Sequence, residues 1–475
     1  MHRYRTTRCA GALVRKYGRG RVGRLARTFR RGLSATLSAR MPDRNRLIDL
    51  TIPEERAFLI GLDGRDHGWP VARSLAELAA LTETAGATVV GTAFQRRAEP
   101  DPLWYFGKGR AAELVDEKSA SQFNVLIVDD EISPTQQRSL ERLLDCKVLD
   151  RSALIIDIFA RHARTHEGRL QVELAQLEYY LPRLTRMWTH LSRTGGGIGT
   201  RGPGETQLET DRRVIREKIK KVRGLLDDVK RQRATAARQR VRSEVATVAL
   251  VGYTNAGKST LLNRLAEANV FVANMLFATL DPTSRQVALP TGQRVVVTDT
   301  VGFINKLPHD LVDAFRATLE EVLRADLLLE VVDASDPDFM RQQAAVQAVL
   351  DELGAGEKPR ITVFNKIDLL DPQMPVGEMP GNEHAVFASA TEGVGIETLL
   401  THIADALQAG MVQVDAVVPY ERGELVARAR SSGAVQERYT RRGVRIRGHL
   451  PDAIAAEVAA AARPAQDGRR PRTAG

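Results

Sequence analysis

Val245-Ala246-Thr247-Val248-Ala249-Leu250-Val251 runs straight into Gly252-Tyr253-Thr254-Asn255-Ala256-Gly257-Lys258-Ser259-Thr260, and this stretch decides the fold. An apolar run ending on a glycine-framed loop reads as a buried strand, a tight turn and the start of a helix. The framing glycines let backbone N–H groups converge on an anion, and the helix N-terminus adds a favourable dipole end. Lys258 can reach the β/γ-phosphates of a nucleotide held there, and the Ser259 hydroxyl can serve a Mg²⁺ ion. The bland alternative is a flexible strand-to-helix turn of the same composition. Strand, phosphate loop and helix together imply an α/β sheet with its ligand at the strand tips.

About a hundred residues further on, the strand-like run Arg360 to Phe364 ends in Asn365-Lys366-Ile367-Asp368. The two acceptor oxygens of Asp368 suit the N1–H and 2-amino donors of guanine, whereas adenine offers an acceptor at N1 and leaves the carboxylate unpaired. Asn365 can bond the far edge of the base and Lys366 can lie along its face. Between the two motifs, the strand Arg294 to Thr298 ends in Asp299-Thr300-Val301-Gly302, which resembles the Walker-B aspartate and the γ-phosphate-sensing glycine of switch II. Phe277-Ala278-Thr279-Leu280-Asp281-Pro282 stands where switch I belongs, with Thr279 twenty residues past Ser259. Ala388-Ser389-Ala390 follows the strand-like Ala385 to Phe387 and resembles the last base-contacting loop, a main-chain N–H meeting the guanine O6. The expected ligands are GTP and Mg²⁺, the metal on Ser259, Thr279 and Asp299. Lys258, Thr279 and Gly302 are the expected catalytic groups, and residues 252 to 260, 277 to 279, 299 to 302, Asn365, Lys366, Asp368, Ser389 and Ala390 the expected nucleotide contacts. Each motif outside the first has an ordinary reading as a polar or small-residue turn; their order and spacing give them meaning.

Phe303 stands after Gly302, where familiar signalling GTPases carry the glutamine that orients the attacking water. A phenyl ring neither donates nor accepts that hydrogen bond. Slow intrinsic hydrolysis is expected, the water being positioned by another group or by a partner. Packing of Phe303 beneath switch II is the competing reading, and the two are compatible.

The chain has 475 residues and a formal charge of +10, with 43% hydrophobic content, enough for about three cored domains. Residues 1–42 hold twelve of the 69 basic residues and none of the 59 acidic ones, so the remainder is close to neutral. This basic extension reads as a transit peptide, an RNA-binding arm, or sequence upstream of a start at Met41; the last is favoured because the rest reads as complete without it. Cys9 and Cys146 provide no disulfide framework, which suits a reducing compartment. No apolar run approaches the roughly 20 residues of a membrane span, so any membrane association would be peripheral. The expected location is the cytoplasm, or an organelle if residues 1–42 are a transit peptide. A monomer is expected.

From 43 to 165 the pattern alternates: strands at Ala57 to Leu62, Ala87 to Ala93 and Phe123 to Asp129, helices at Ser74 to Gly86 and Ser133 to Leu144. A small domain with a largely parallel sheet follows. Its Tyr105-Phe106-Gly107-Lys108-Gly109-Arg110 reads as a solvated turn rather than a phosphate loop. From 166 to 244, Leu170, Leu174, Leu177, Leu181 and Leu184 face a second stripe of Ile215, Ile219, Val222, Leu226 and Val229, as in an antiparallel helical hairpin, with Pro182 breaking the first helix near its end. The tip, Gly195 to Gly204, has six glycines in ten residues, more than a helix reversal needs, and is flanked by Arg193 and Arg201. Bare backbone with nearby arginines suits close approach to RNA; a loose tether is the alternative. The nucleotide domain spans 245–410. A small α/β unit covers 411–462, with strands at Gln413 to Val418 and Val444 to His449 around a helix from Tyr420 to Ser431, and a polar tail covers 463–475.

Over about residues 47 to 460 the chain resembles the HflX family of GTPases. The likeness rests on Tyr105 to Gly109, Asp150-Arg151 with Asp157 to Ala160, Gln171 to Leu177, the glycine-rich tip running into Gly202-Pro203-Gly204-Glu205-Thr206-Gln207-Leu208-Glu209, and Asp299 to Phe303. It implies a P-loop GTPase domain preceded by the small α/β domain and the hairpin. It also implies binding to the large ribosomal subunit, a hairpin tip projecting toward the peptidyl-transferase region, separation of stalled or idle ribosomes, hydrolysis stimulated by that subunit, and a hydrophobic residue at the position of Phe303. Some members use ATP through the N-terminal domain, but no second P-loop is present here. Two other classes stay open: a regulatory switch acting on a non-ribosomal protein or membrane partner, and ATP-driven RNA remodelling through the first domain.

Overall fold

In the computed structural model, residues 54–64, 69–184, 203–240, 245–267, 276–277, 279–306, 319–370 and 385–462 are described. The basic extension, most of the hairpin tip, Ala278 and the tail lie outside them.

The first sheet explains its own sequence. Strand β1 (Arg56–Asp63) is buried at six successive positions because it is covered on both faces. Ala57 and Leu59 meet α1 (Val71–Thr84) and α4 (Arg151–His162), whereas Phe58, Ile60 and Leu62 meet α2 (Lys108–Ser121) and α3 (Pro134–Leu144). With β2 (Thr88–Arg96), β3 (Val125–Val128) and β4 (Lys147–Asp150) it forms a wholly parallel sheet in the order β2-β1-β3-β4. Ser133 starts α3 with a reciprocal capping box to Gln136, and Pro134 occupies the first turn. The segment expected to be a solvated turn differs from its reading. Tyr105 and Phe106 are buried, and Gly107 opens α2, its N–H donating to Gln95 Oε1 at 2.8 Å. The aromatic pair plugs the core, which outweighs the loop-like Gly-Lys-Gly composition, and the Gly107 N–H is not left for an anion.

The two leucine-type stripes pair as expected. Leu170 and Leu174 of α5 (His166–Arg183) are buried against Ile219, Val222 and Leu226 of α6 (Pro203–Arg240). Helix α5 ends one residue after Pro182.

The second sheet has the order β10-β9-β8-β5-β7-β6. It contains β5 (Thr247–Gly252), β6 (Thr283–Ala288), β7 (Arg294–Asp299), β8 (Leu327–Asp333), β9 (Arg360–Asn365) and β10 (Val386–Phe387), parallel except at the β6–β7 pair. One face packs on α7 (Lys258–Leu265) and α9 (Ile396–Gln408). The other meets α8 (Phe339–Leu353), and that core continues without a break into the first domain through Phe159, Val172, Tyr253, Phe277 and Phe303.

A third, antiparallel sheet, β11 (Val412–Val418), β13 (Gly443–Leu450) and β12 (Ala434–Thr440), carries α10 (Gly423–Ser432) and α11 (Asp452–Ala461) on one face. Among the described residues no helix is long and apolar enough to cross a membrane.

Candidate nucleotide site

The loop after β5 is shaped by two glycines. Gly252 has φ +146° and a Cβ there would lie 2.2 Å from Val331 O; Gly257, the residue before α7, has φ +93° and a Cβ there would lie 2.3 Å from Asn365 Nδ2. Neither place admits a side chain, so the loop closes tightly over the tips of β8 and β9. Lys258 is buried and folds back to donate to Gly252 O at 3.0 Å and Tyr253 O at 2.7 Å. Burial lowers its pKa to about 8, although Asp299 works in the opposite direction. A cation held out of water without a full counter-charge is a receptor for anionic oxygens.

The three expected magnesium ligands converge from three separate elements. Ser259 Oγ on α7 lies 2.6 Å from Asp299 Oδ2 at the end of β7, Thr279 Oγ1 lies 2.8 Å from the same oxygen, and the two hydroxyls are 2.8 Å apart. Burial raises the Asp299 pKa against the pull of Lys258 and the hydroxyls, and its Oδ1 is buried without a hydrogen-bond partner. Thr254 Oγ1 in the loop is orphaned in the same way. Two hydroxyls and a carboxylate with one buried oxygen still unused form an all-oxygen donor set that fits a hard cation completed by phosphate and water. Gly302 approaches so closely that a Cβ there would lie 2.9 Å from Lys258 Nζ, which leaves its main chain facing the phosphate loop.

The residues expected to read the base also come together. Asn365 is buried, donates to Ala256 O at 2.9 Å and accepts from the Ala390 N–H at 3.0 Å, so it ties the phosphate loop to the Ser389 loop. Lys366, at φ +66°, holds Asp333 at 2.6 Å, and Asp368 stands exposed on the following short turn. Ser389 is fully buried and braces its own loop through Thr391 and the Glu392 N–H.

Several expected contacts are occupied elsewhere. Thr300 Oγ1 donates to Leu250 O at 2.6 Å and Val301 lies in the core, leaving only their main chain to the site. Tyr253 turns its ring away to stack on Trp69, and its hydroxyl donates to Glu77 and accepts the Asn305 N–H. Phe277 packs edge-on against Phe159 of α4 with ring centroids 4.6 Å apart. Phe303 is 2% exposed and buried in the shared core.

No pattern along the chain marks the polar network that joins the first domain to the segment after Gly302. Arg151, 1% exposed, donates to Glu77 at 2.6 Å, to Asp129 Oδ1 at 2.8 Å and to Asn305 O at 3.2 Å. Lys306 adds an ion pair to Asp129 at 2.7 Å. Burial opposes the charge on Asp129, but Arg151 and Lys306 hold its carboxyl below the usual range. The motif Asp150-Arg151 was visible in the chain; its partners, 22 to 154 residues away, were not.

Comparison with known proteins places the chain in a family. A model described as "GTP-binding GTPase N-terminal" matches residues 72–160, one described as "GTP-binding GTPase Middle Region" matches 162–240, and one described as "50S ribosome-binding GTPase" matches 247–366. The "GTPase HflX" of Caldanaerobacter subterraneus subsp. tengcongensis is 45% identical over 403 residues, covering 85% of this chain and 92% of that protein. The "GTPase HflX" of Escherichia coli K12 is 45% identical over 368 residues, covering 77% of this chain and 86% of that protein. A solved GTP-binding protein from Sulfolobus solfataricus in complex with GDP is 22% identical with a TM-score of 0.41, covering 74% of this chain and 98% of that one. With such identity across most of its length, the chain belongs to the HflX family of GTPases.

Proposed function

We propose that this GTPase engages the large ribosomal subunit and uses its helical hairpin to separate stalled or idle ribosomes, with bound GTP favouring the engaged state and hydrolysis permitting departure. The observation that carries this reading is the continuity of the core. Val172 and Ala175 at the base of the hairpin share one buried cluster with Phe277 and Leu280 of switch I and with Val301 and Phe303 of switch II. A change at the γ-phosphate would therefore meet the hairpin through contiguous packed side chains. Membrane association plays no part in this reading, and the monomer suffices for it.

In the chemistry, Lys258 and the N–H groups of the phosphate loop bind and orient the phosphates, and Asp368 with Asn365 and the Ser389-Ala390 loop selects guanine. Ser259, Thr279 and Asp299 would hold Mg²⁺, which when bound neutralises charge on the phosphate oxygens. Thr279 and the Gly302 main chain sense the γ-phosphate. Phe303 excludes water from beneath the loop and leaves the attacking water to be ordered by a group outside this site.

The test is the GTP hydrolysis rate with and without purified large ribosomal subunits at physiological salt. Stimulation of many-fold is expected, and an unchanged rate with GTP binding intact would point to a non-ribosomal regulatory switch. Deleting Gly195 to Gly204 should leave nucleotide binding intact and abolish subunit separation; full separation activity would reduce the tip to a tether.

A further inference from the structure

Asp281 follows Thr279 by two residues, and its carboxylate is taken up by the residues that lead into α5. It accepts the N–H groups of Arg164 and Thr165, each at 2.8 Å, and the Thr165 hydroxyl. Thr165 is the cap of α5, its oxygen accepting the Gly168 N–H at 2.9 Å. The approach is so close that a Cβ on Gly168 would lie 2.4 Å from Asp281 Oδ1. On the other side of Thr279, Phe277 is pinned by Phe159, and Leu280 is 2% exposed in the same core. Thr279 is thus the polar member of a short segment whose neighbours are fastened to the end of α4 and the start of the hairpin.

We propose that Asp281 is a positioning residue for GTP hydrolysis: it fastens switch I to the root of the hairpin and thereby holds the Thr279 hydroxyl beside Ser259 and Asp299. The proposal rests on the reading of Thr279 as a magnesium ligand, but not on the identity of the partner that meets the hairpin tip. Three donors on one carboxylate define one orientation of the segment, and charge-assisted bonds of this kind are stronger than neutral ones. Because coupling between binding sites is reciprocal, magnesium with a GTP analogue tightens the hairpin root by the same factor that the root tightens magnesium.

The decisive variant is Gly168→Ala. Because the added Cβ would lie 2.4 Å from Asp281 Oδ1, a purely structural contact predicts a lower melting temperature with an unchanged Mg²⁺ requirement and unchanged kcat. If the clasp positions Thr279, the added methyl displaces Asp281. The Mg²⁺ concentration for half-maximal binding of a fluorescent non-hydrolysable GTP analogue then rises about tenfold, within the usual range of coupling. The kcat falls by a similar factor at saturating GTP with KM little changed, since the phosphate loop and base contacts are untouched. Asp281→Ala gives the same pattern, Asp281→Asn recovers part of it by keeping one acceptor oxygen, and the double variant Gly168→Ala/Asp281→Ala is no worse than either single one. Hydrogen exchange at the Arg164 and Thr165 amides, slow with the analogue and Mg²⁺, becomes fast in both single variants. Thr279→Ala separates the two possible failures. If it raises the Mg²⁺ requirement while Gly168→Ala and Asp281→Ala leave that requirement and kcat at the parent values, the positioning role is refuted, whatever the exchange at Arg164 and Thr165. If Thr279→Ala itself leaves the Mg²⁺ requirement unchanged, the magnesium reading falls and takes the proposal with it.

Discussion

Restoring a glutamine at the position that orients water in signalling GTPases should fail here. The Phe303 N–H donates to Gly252 O at 3.1 Å and its carbonyl accepts the Thr254 N–H at 2.7 Å, a parallel bridge that fixes which way the side chain points. The ring is 2% exposed and lies in the core shared with Tyr253, Ile304 and Val322. Losing a buried phenyl altogether costs about 3–5 kcal/mol. A glutamine recovers part of that volume but leaves a buried amide unpaired at about 1–3 kcal/mol. The net for Phe303→Gln is about 4 kcal/mol, a fall in melting temperature of roughly 10 °C for a domain of this size. Phe303→Leu, which keeps an apolar group of smaller volume, should cost about 1 kcal/mol. Thermal unfolding would be followed without nucleotide, and single-turnover hydrolysis at saturating GTP below the transition. The expected result is a large loss of stability with no gain in rate. A faster Phe303→Gln protein within about 1 kcal/mol of the parent would mean that the segment readily turns outward, and the argument from its backbone pairing would be refuted.

Asp368→Asn replaces an acceptor pair by one acceptor and one donor, so preference should move from GTP toward xanthosine triphosphate; competition binding checks this, and unchanged GTP selectivity would unseat Asp368. The Lys258 amine, lowered to about 8 by burial in the fold, is charged up to about 10.5 in the unfolded chain. In that window the unfolded state binds more protons, so the stability of the nucleotide-free protein should rise from about pH 8 to about pH 10. Saturating GTP should abolish the rise by supplying the counter-charge; denaturant midpoints across the window, flat without nucleotide, would contradict the buried ammonium. Arg151→Met leaves Asp129 and Glu77 without their guanidinium and should destabilise by about 3–5 kcal/mol in chemical denaturation, whereas a loss below about 1 kcal/mol would show that Lys306 alone suffices for the cluster.

The glycine-framed loop, the turn from Asn365 to Asp368 and the hydroxyls of Ser259 and Thr279 could be singled out from the sequence because the proposed chemistry demands particular residue types at one turn of the chain. Gly252 and Gly257 announce positive φ, Lys258 and Ser259 follow in register, and Asn365 ends a strand with Asp368 three residues on. The hairpin stripes were legible for a related reason, since a helix repeats its buried face every three or four residues. Strand β4 is only four residues long, and β12 shows mostly exposed or half-exposed side chains; both exist because a neighbouring strand offers a free edge, and neither carries a periodicity of its own. Helix α2 was hidden behind Gly107 and Gly109, which suggested a turn until the burial of Tyr105 and Phe106 set the chain direction.

By itself, then, the sequence determined that the chain builds a guanine-nucleotide site on an α/β sheet behind a helical hairpin, because composition, periodicity and turn chemistry act over a few neighbouring residues. Only the tertiary structure decided which way Phe303 faces, that Asp281 reaches Thr165 across 116 residues, and that Arg151 meets Asn305 across 154. Those contacts depend on two separately folded surfaces coming together, and a one-dimensional pattern carries the residues for such a junction without carrying their pairing.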